Sequence, residues 1–291
     1  MWPFERKREQ EYLLIGRHAL ERWSGPATAL SLVARQALPE GATLSSTELQ
    51  SALLLLFPNP PQMKITVLLE SAWLPVLLLE VGATLWTPAQ VEPLLRHRLH
   101  SLYGEPQGMP VDWELRLDYV PGQPFALGYG IPAHLRQSLV AVGQALGLRW
   151  AALLPAVGWG FQRLRSAYRA RDRMDRSNST NSTDKSVWWV WPEQDRLLLA
   201  RMEDQRMVSL HPGLALTDSP ASIVRMVAAE AARTGSAVPH APIRAATWSS
   251  GMVAASASDR LEWCSITAPA LPCATQFPQS GPSSMGGQTC A

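Results

Sequence analysis

Residues 131–161 read IPAHLRQSLVAVGQALGLRWAALLPAVGWGF, and the order of signals within them sets the fold class. Pro132 opens a helix whose apolar positions Leu135, Leu139, Val142 and Leu146 recur at steps of three and four. Gly147 stands where a left-handed C-cap belongs. Leu148–Leu154 follows as an apolar strand, and Pro155 starts a further helix that runs to about Tyr168. A helix, a buried strand and a second helix in immediate succession predict an α/β protein.

Upstream, Thr87, Pro88 and Gln90 form a helix start: a Thr cap, Pro at the first helical position and Gln three residues beyond the cap. That helix runs to about Leu102. Val111–Val120 alternates Trp113, Leu115, Leu117 and Tyr119 with Asp112, Glu114, Arg116 and Asp118, the period of a strand with one wet face. Pro121 and Gly122 turn the chain, and Phe125–Ile131 returns as the hairpin partner. Met63–Leu69 and Pro75–Val81 are apolar runs of strand length that together suggest a buried sheet. At the start of the chain, Tyr12–Ile15 and His18–Trp23 read as two short strands around Gly16, a turn residue free to take positive φ. Residues 24–62 are poorly marked, apart from a helix over Ser46–Phe57, entered by Ser46 and closed by Pro58.

Downstream, residues 170–186 are polar, charged and low in complexity, the composition of a linker. Val187–Trp191, Leu197–Met202 and Met207–His211 then read as a three-strand meander. Ser219 and Pro220 open a helix that ends near Thr234 and Gly235, and Ile243–Trp248 is a further strand. From Ser249 onward Ser, Ala, Pro and Gly dominate, which predicts little fixed structure.

A chain of 291 residues with 46% apolar and 17% charged residues has a globular balance. A formal charge of +2 is too small to imply a nucleic-acid partner. Cys264, Cys273 and Cys290 all fall near the end, so no disulfide staples the body, and a reducing compartment fits. Met1–Gln10 mixes Glu and basic residues and is followed by no apolar run of signal length. The longest apolar stretch, Ile65–Val81, is broken by Glu70, Pro75 and Glu80 and falls short of the roughly 20 residues that cross a bilayer. These features predict a soluble, intracellular protein.

Familiar catalytic patterns are missing. Lys185-Ser186 lacks the glycines of a phosphate loop. Gly128-Tyr129-Gly130 and Gly158-Trp159-Gly160 each supply two glycines of a dinucleotide fingerprint without the third, and read as packing or turn glycines. His97 and His100 stand three apart on a helix with no nearby carboxylate or Cys to complete a metal set. No Gly-x-Ser-x-Gly elbow or His-Glu-x-x-His helix occurs. Glu203 and Asp204 read as hairpin-turn carboxylates. Arg163, Arg165, Arg169, Arg171, Arg173 and Arg176 concentrate positive charge at a helix end and in the linker. Cations there suit the helix dipole, and the alternative is contact with an anionic membrane surface or an acidic partner. Trp188, Trp189 and Trp191 alternate onto both faces of their strand, which suggests core on one face and a contact surface on the other.

From Thr87 to Arg165 the order of helix, hairpin, Pro-led helix, strand and helix resembles the actin-like assembly proteins of type IV pili and the related L-type component of type II secretion. The resemblance implies a two-lobed actin-like fold, with residues 1–86 and 148–169 in the first lobe. An α+β subdomain is inserted at 87–147, 170–186 is a linker, 187–248 is the second lobe and 249–291 a disordered tail. In the ATP-binding members each lobe begins with a hairpin bearing an apolar residue, Asp, an apolar residue and Gly. The counterparts here are Leu13-Leu14-Ile15-Gly16 and Val190-Trp191-Pro192-Glu193, so Leu14 and Trp191 stand where Asp would be. Pro192 also lacks an N–H to offer a phosphate.

The resemblance therefore implies degenerate phosphate hairpins at Leu14, Gly16, Trp191 and Pro192, no cofactor and no enzymatic activity. It implies a docking platform at the cytoplasmic face of the inner membrane, in contact with membrane-anchored assembly proteins; the oligomeric state is left open. Two other readings stay open: an active nucleotide-binding member of the actin and sugar-kinase superfamily, and an unrelated α/β adaptor, marked by a fold without two similar lobes.

Overall fold

Strands β1 (Glu9–Ile15) and β2 (Ala19–Pro26) pair antiparallel around a turn at Gly16, from Glu9 opposite Pro26 to Ile15 opposite Leu20. In this computed structural model, residues 9–26, 30–82, 85–103, 112–163, 186–203, 206–215, 220–234, 243–247 and 261–265 are described. Strand β3 (Ser31–Ala37) adds antiparallel to β2, in the region the sequence left unmarked. Helix α1 (Ser46–Leu56) follows. Its N-cap is Ser45 rather than Ser46, because the Ser45 hydroxyl and the Glu48 carboxylate satisfy each other's backbone N–H groups in a capping box.

Strand β4 (Ile65–Leu69) returns parallel to β1, but β5 (Val76–Glu80) leaves that sheet. The two apolar runs read together as one buried sheet lie in separate sheets: β5 pairs with β7 (Phe125–Pro132), which also pairs with β6 (Trp113–Asp118). Three residues of turn after Glu70 redirect the chain. Helix α2 (Pro88–Tyr103) covers this small sheet, capped as expected by Thr87 and Gln90. Gly128 and Gly130 are packing glycines, since a Cβ there would meet the side chains of Leu95 and Leu99 on α2.

Helix α3 (Ala133–Leu146) ends at Gly147 in the left-handed conformation, with φ 67°. It packs on α1 and leads to β8 (Trp150–Pro155), parallel to β4, after which residues 156–163 form α4. The first sheet therefore runs β3-β2-β1-β4-β8.

The second half repeats this plan. Strands β9 (Ser186–Pro192), β10 (Arg196–Glu203) and β11 (Arg206–Ala215) form the meander. Helix α5 (Pro220–Arg233) leads to β12 (Ile243–Thr247), parallel to β9. Strand β13 (Leu261–Ser265) adds parallel to β12, inside the stretch expected to lack fixed structure. Five residues suffice for an edge strand, too short a signal to stand out among Ser and Ala. The second sheet runs β11-β10-β9-β12-β13, the first sheet's order repeated strand for strand.

One face of the second sheet buries Trp188, Val190, Leu197 and Leu199 under Ile223 and Val227 of α5. The other face sends Trp189, Trp191, Leu198 and Ala200 into a core shared with Leu13, Ile15, Leu53, Val67 and Leu139 of the first lobe. Both faces of the tryptophan strand are thus buried, and the expected contact surface on one of them is absent. The two lobes meet through one apolar core, which fixes the site where their first hairpins touch.

Candidate functional site

The turns of the β1–β2 and β9–β10 hairpins lie against each other, which brings Gly16 onto Gln194 at the junction of the lobes, while Leu14 and Trp191 enter different cores. Leu14 is buried beside Leu68 and Ala156, and Trp191 is fully buried beside Phe161, with ring centroids 6.4 Å apart. A Cβ on Gly160 of α4 would lie 1.9 Å from the Trp191 ring, so the helix accepts the indole only because that position is Gly. Gly16 does not use its freedom for positive φ, contrary to the reading from sequence. Its value is space: a Cβ there would stand 2.2 Å from Cδ of Gln194.

Gln194 is the residue that sequence reasoning missed. Its Oε1 accepts from the backbone N–H of His18 at 2.7 Å and of Ala19 at 2.9 Å, while Nε2 donates to the Ala19 carbonyl at 3.1 Å. Glu70 and Ser71, at the end of β4, complete the junction. One Glu70 oxygen accepts from Gln194 N at 3.0 Å and the other from Arg17 N at 3.3 Å. In return, the Glu193 carboxylate accepts from Ser71 N at 2.7 Å and from the Ser71 hydroxyl. Each lobe thus contributes a Glu whose neighbour's N–H binds the Glu of the other lobe. Arg17 reaches Asp195 at 2.8 Å, and Trp73 Nε1 donates to the Gly16 carbonyl at 2.9 Å.

Glu70 and Glu193 are 2% and 4% exposed. Burial pushes the Glu70 carboxyl up to about 8, with a further push from the Glu193 charge, against the N–H groups of Arg17 and Gln194 that favour the ionised form. Burial also raises Glu193, against its bonds from Ser71 and the attraction of Arg196. Asp195 is lowered, chiefly by its hydrogen bond from Arg196.

The backbone donors of the first turn are all engaged within the protein. Gly16 N donates to the Ala19 carbonyl at 3.0 Å, Arg17 N to Glu70, and His18 N and Ala19 N to Gln194. In the second turn Glu193 N donates to the Arg196 carbonyl at 2.9 Å and Gln194 N to Glu70, while Pro192 has no donor. A phosphate placed here meets carboxylates where it needs N–H groups. The arrangement holds the two lobes together and buries two carboxyl groups, which favours the protonated form of each.

His97 is exposed and His100 half-buried on α2, and no cluster of His, Cys, Asp and Glu suited to a metal occurs among the described residues. Arg163 lies with its guanidinium 4.8 Å from the Trp159 ring centroid. Arg165, Arg169, Arg171, Arg173 and Arg176, like Asp204 and residues 170–185 of the expected linker, lie outside the described residues, while Ser186, read as the linker's last residue, opens β9. No described helix is long and apolar enough to cross a membrane.

No protein-family model and no curated protein sequence matches this chain. Solved structures do. A Bacteroides thetaiotaomicron protein with an actin-like ATPase fold and unknown function superposes with a TM-score of 0.50 at 8% identity, over 86% of this chain and 87% of that one. The cytoplasmic domain of EpsL, an inner membrane component of the type II secretion system of Vibrio cholerae, superposes with a TM-score of 0.48 at 12% identity, over 82% of each chain. The PilM–PilN type IV pilus biogenesis complex gives a TM-score of 0.43 at 15% identity, over 77% of this chain and 66% of that one. The doubled strand order and the first of these superpositions lead to one conclusion: the chain has the actin-like ATPase fold.

Proposed function

We propose that this chain is a non-catalytic, cytoplasmic scaffold that docks membrane-anchored partner proteins during assembly of a type IV pilus or type II secretion apparatus. The observation that carries the non-catalytic part is the closed junction of the hairpins. Gln194 fills the space over Gly16 and takes the N–H groups of His18 and Ala19, while Glu70 takes those of Arg17 and Gln194. A nucleotide has to displace these bonds, and the shared apolar core around Trp191 opposes the lobe opening that displacement requires. The assembly role rests on the element order from Thr87 to Arg165, which resembles that of pilus and secretion platforms.

A thermal-shift titration with ATP and magnesium, paired with ADP, tests the proposal. A ligand bound only by the native state raises the melting temperature by mass action. A flat response to both nucleotides is expected; a saturable rise of several degrees restores the nucleotide-binding reading. The unrelated-adaptor reading is disfavoured by the repeated strand order of the two sheets.

A further inference from the structure

The Gln194 carboxamide meets the first turn as a bound ligand would. Its Oε1 bridges two successive backbone N–H groups, of His18 at 2.7 Å and of Ala19 at 2.9 Å, and its Nε2 donates to the Ala19 carbonyl at 3.1 Å. Successive N–H groups that converge on one oxygen form a nest of the kind that binds anions. The remaining donors of the two turns are taken within the junction: Gly16 N by the Ala19 carbonyl, Glu193 N by the Arg196 carbonyl, and Arg17 N and Gln194 N by Glu70. The two N–H groups of the nest are met by a single side chain from the other lobe. Arg17 and His18 are exposed, so the nest lies at the surface.

Three atoms of the carboxamide, Cδ, Nε2 and Oε1, lie 2.2, 2.4 and 2.5 Å from where a Gly16 Cβ would stand. Because Gly16 has no Cβ, cutting the side chain back leaves an open place bordered by two donors and one acceptor. Arg17 and Arg196 share the one carboxylate of Asp195, at 2.8 and 2.9 Å, so the margin of this place carries net positive charge. Burial lifts the Glu70 carboxyl to about 8, so near pH 6.5 it holds its proton and does not repel an anion.

We propose, on the closed-junction reading above, that Gln194 is an intramolecular plug in an oxyanion nest, and that with the plug removed the nest takes a hydrogen phosphate. Two donors and one acceptor call for a group that carries both an anionic oxygen and a hydroxyl. Hydrogen phosphate offers a P–O⁻ to the N–H groups of His18 and Ala19 and a P–OH to the Ala19 carbonyl, the places that Oε1 and Nε2 of Gln194 hold. Sulfate is fully ionised and sets an oxygen without a proton against that carbonyl. The internal phosphates of a nucleotide carry no hydroxyl either, so unplugging the turn does not by itself rebuild a nucleotide site.

Backbone amide resonances of His18 and Ala19, followed by NMR near pH 6.5, test this in the wild-type chain and in Gln194→Ala, which keeps the N–H that Glu70 accepts. The probes are inorganic phosphate and, at equal ionic strength, sulfate. In the variant both resonances should move saturably with phosphate, with a dissociation constant in the millimolar range, and sulfate should bind about tenfold more weakly. The wild type should respond to neither anion at these two amides. Acetamide, which restores the missing group, should move the same two resonances in the variant. Gln194→Ser, also too short to reach the nest, repeats the measurement if the Ala variant folds poorly. A variant whose two amides ignore phosphate overturns the proposal, and so does a wild type that responds as the variant does. Equal affinity for phosphate and sulfate overturns the assignment of hydrogen phosphate. The nucleotide titration of the wild-type chain judges the closed junction separately, so either reading can fail alone.

Discussion

Replacing Glu70 by Gln should make the stability curves of the two proteins cross as pH rises. In the folded state burial lifts this carboxyl from an ordinary 4.5 to about 8, while the unfolded chain keeps the ordinary value. Below about pH 4.5 both states hold the proton and the contribution to stability is complete. Between 4.5 and 8 the unfolded chain ionises and the native state does not, so stability falls; above 8 the loss is finished. At about 1.4 kcal/mol per pH unit the fall over these 3.5 units amounts to about 5 kcal/mol. Glutamine stays neutral throughout and escapes this loss. It also offers one acceptor oxygen where Glu70 serves both Arg17 N and Gln194 N, which removes about 1–2 kcal/mol at every pH. The variant should therefore be less stable than wild type near pH 5 and more stable by about 3 kcal/mol near pH 8.5. Urea unfolding followed by the fluorescence of the buried tryptophans Trp188, Trp189 and Trp191 reads this directly. Parallel curves for the two proteins across that range refute the reasoning.

Three further substitutions test the junction and one cap. Gln194→Ala strips two acceptor bonds and one donor bond from the Gly16 turn and should lower unfolding free energy by about 1–3 kcal/mol by urea titration, the partial exposure of the turn setting the lower end. Gly160→Ala drives a methyl group into the Trp191 ring and should destabilise by about 1–3 kcal/mol or more, with a changed tryptophan emission maximum; an unchanged spectrum and midpoint contradict the packing described. Gly147→Ala meets open space but keeps φ at 67°, so its loss of about 1 kcal/mol in a thermal melt is a backbone effect alone, and Gly147→Asn should lose less.

Much of the chain was legible because its signals are local. The steps of Leu135, Leu139 and Val142, the cap at Thr87 and Gln90 and the stop at Gly147 concern neighbours in sequence, and the structure places all three as read. Strand β3 escaped notice because its sequence, SLVARQA, carries no apolar–polar alternation although Ala34 and Gln36 are half-buried, and β13 because it is short. The departure of β5 from the first sheet depends on which strand it pairs with, and nothing in an apolar run of five names its partner.

The sequence by itself determined that Leu14 and Trp191 stand in the two hairpins and that Pro192 has no N–H to donate, because these are matters of residue identity. Only the tertiary structure decided what lies against the turns. Gln194 and Gly16 are 178 residues apart in the chain and Glu70 and Gln194 are 124 apart, and no periodicity or motif links positions so distant. The repeated strand order brings the two hairpins face to face, and burial then turns an ordinary Glu into a carboxyl that keeps its proton near neutral pH.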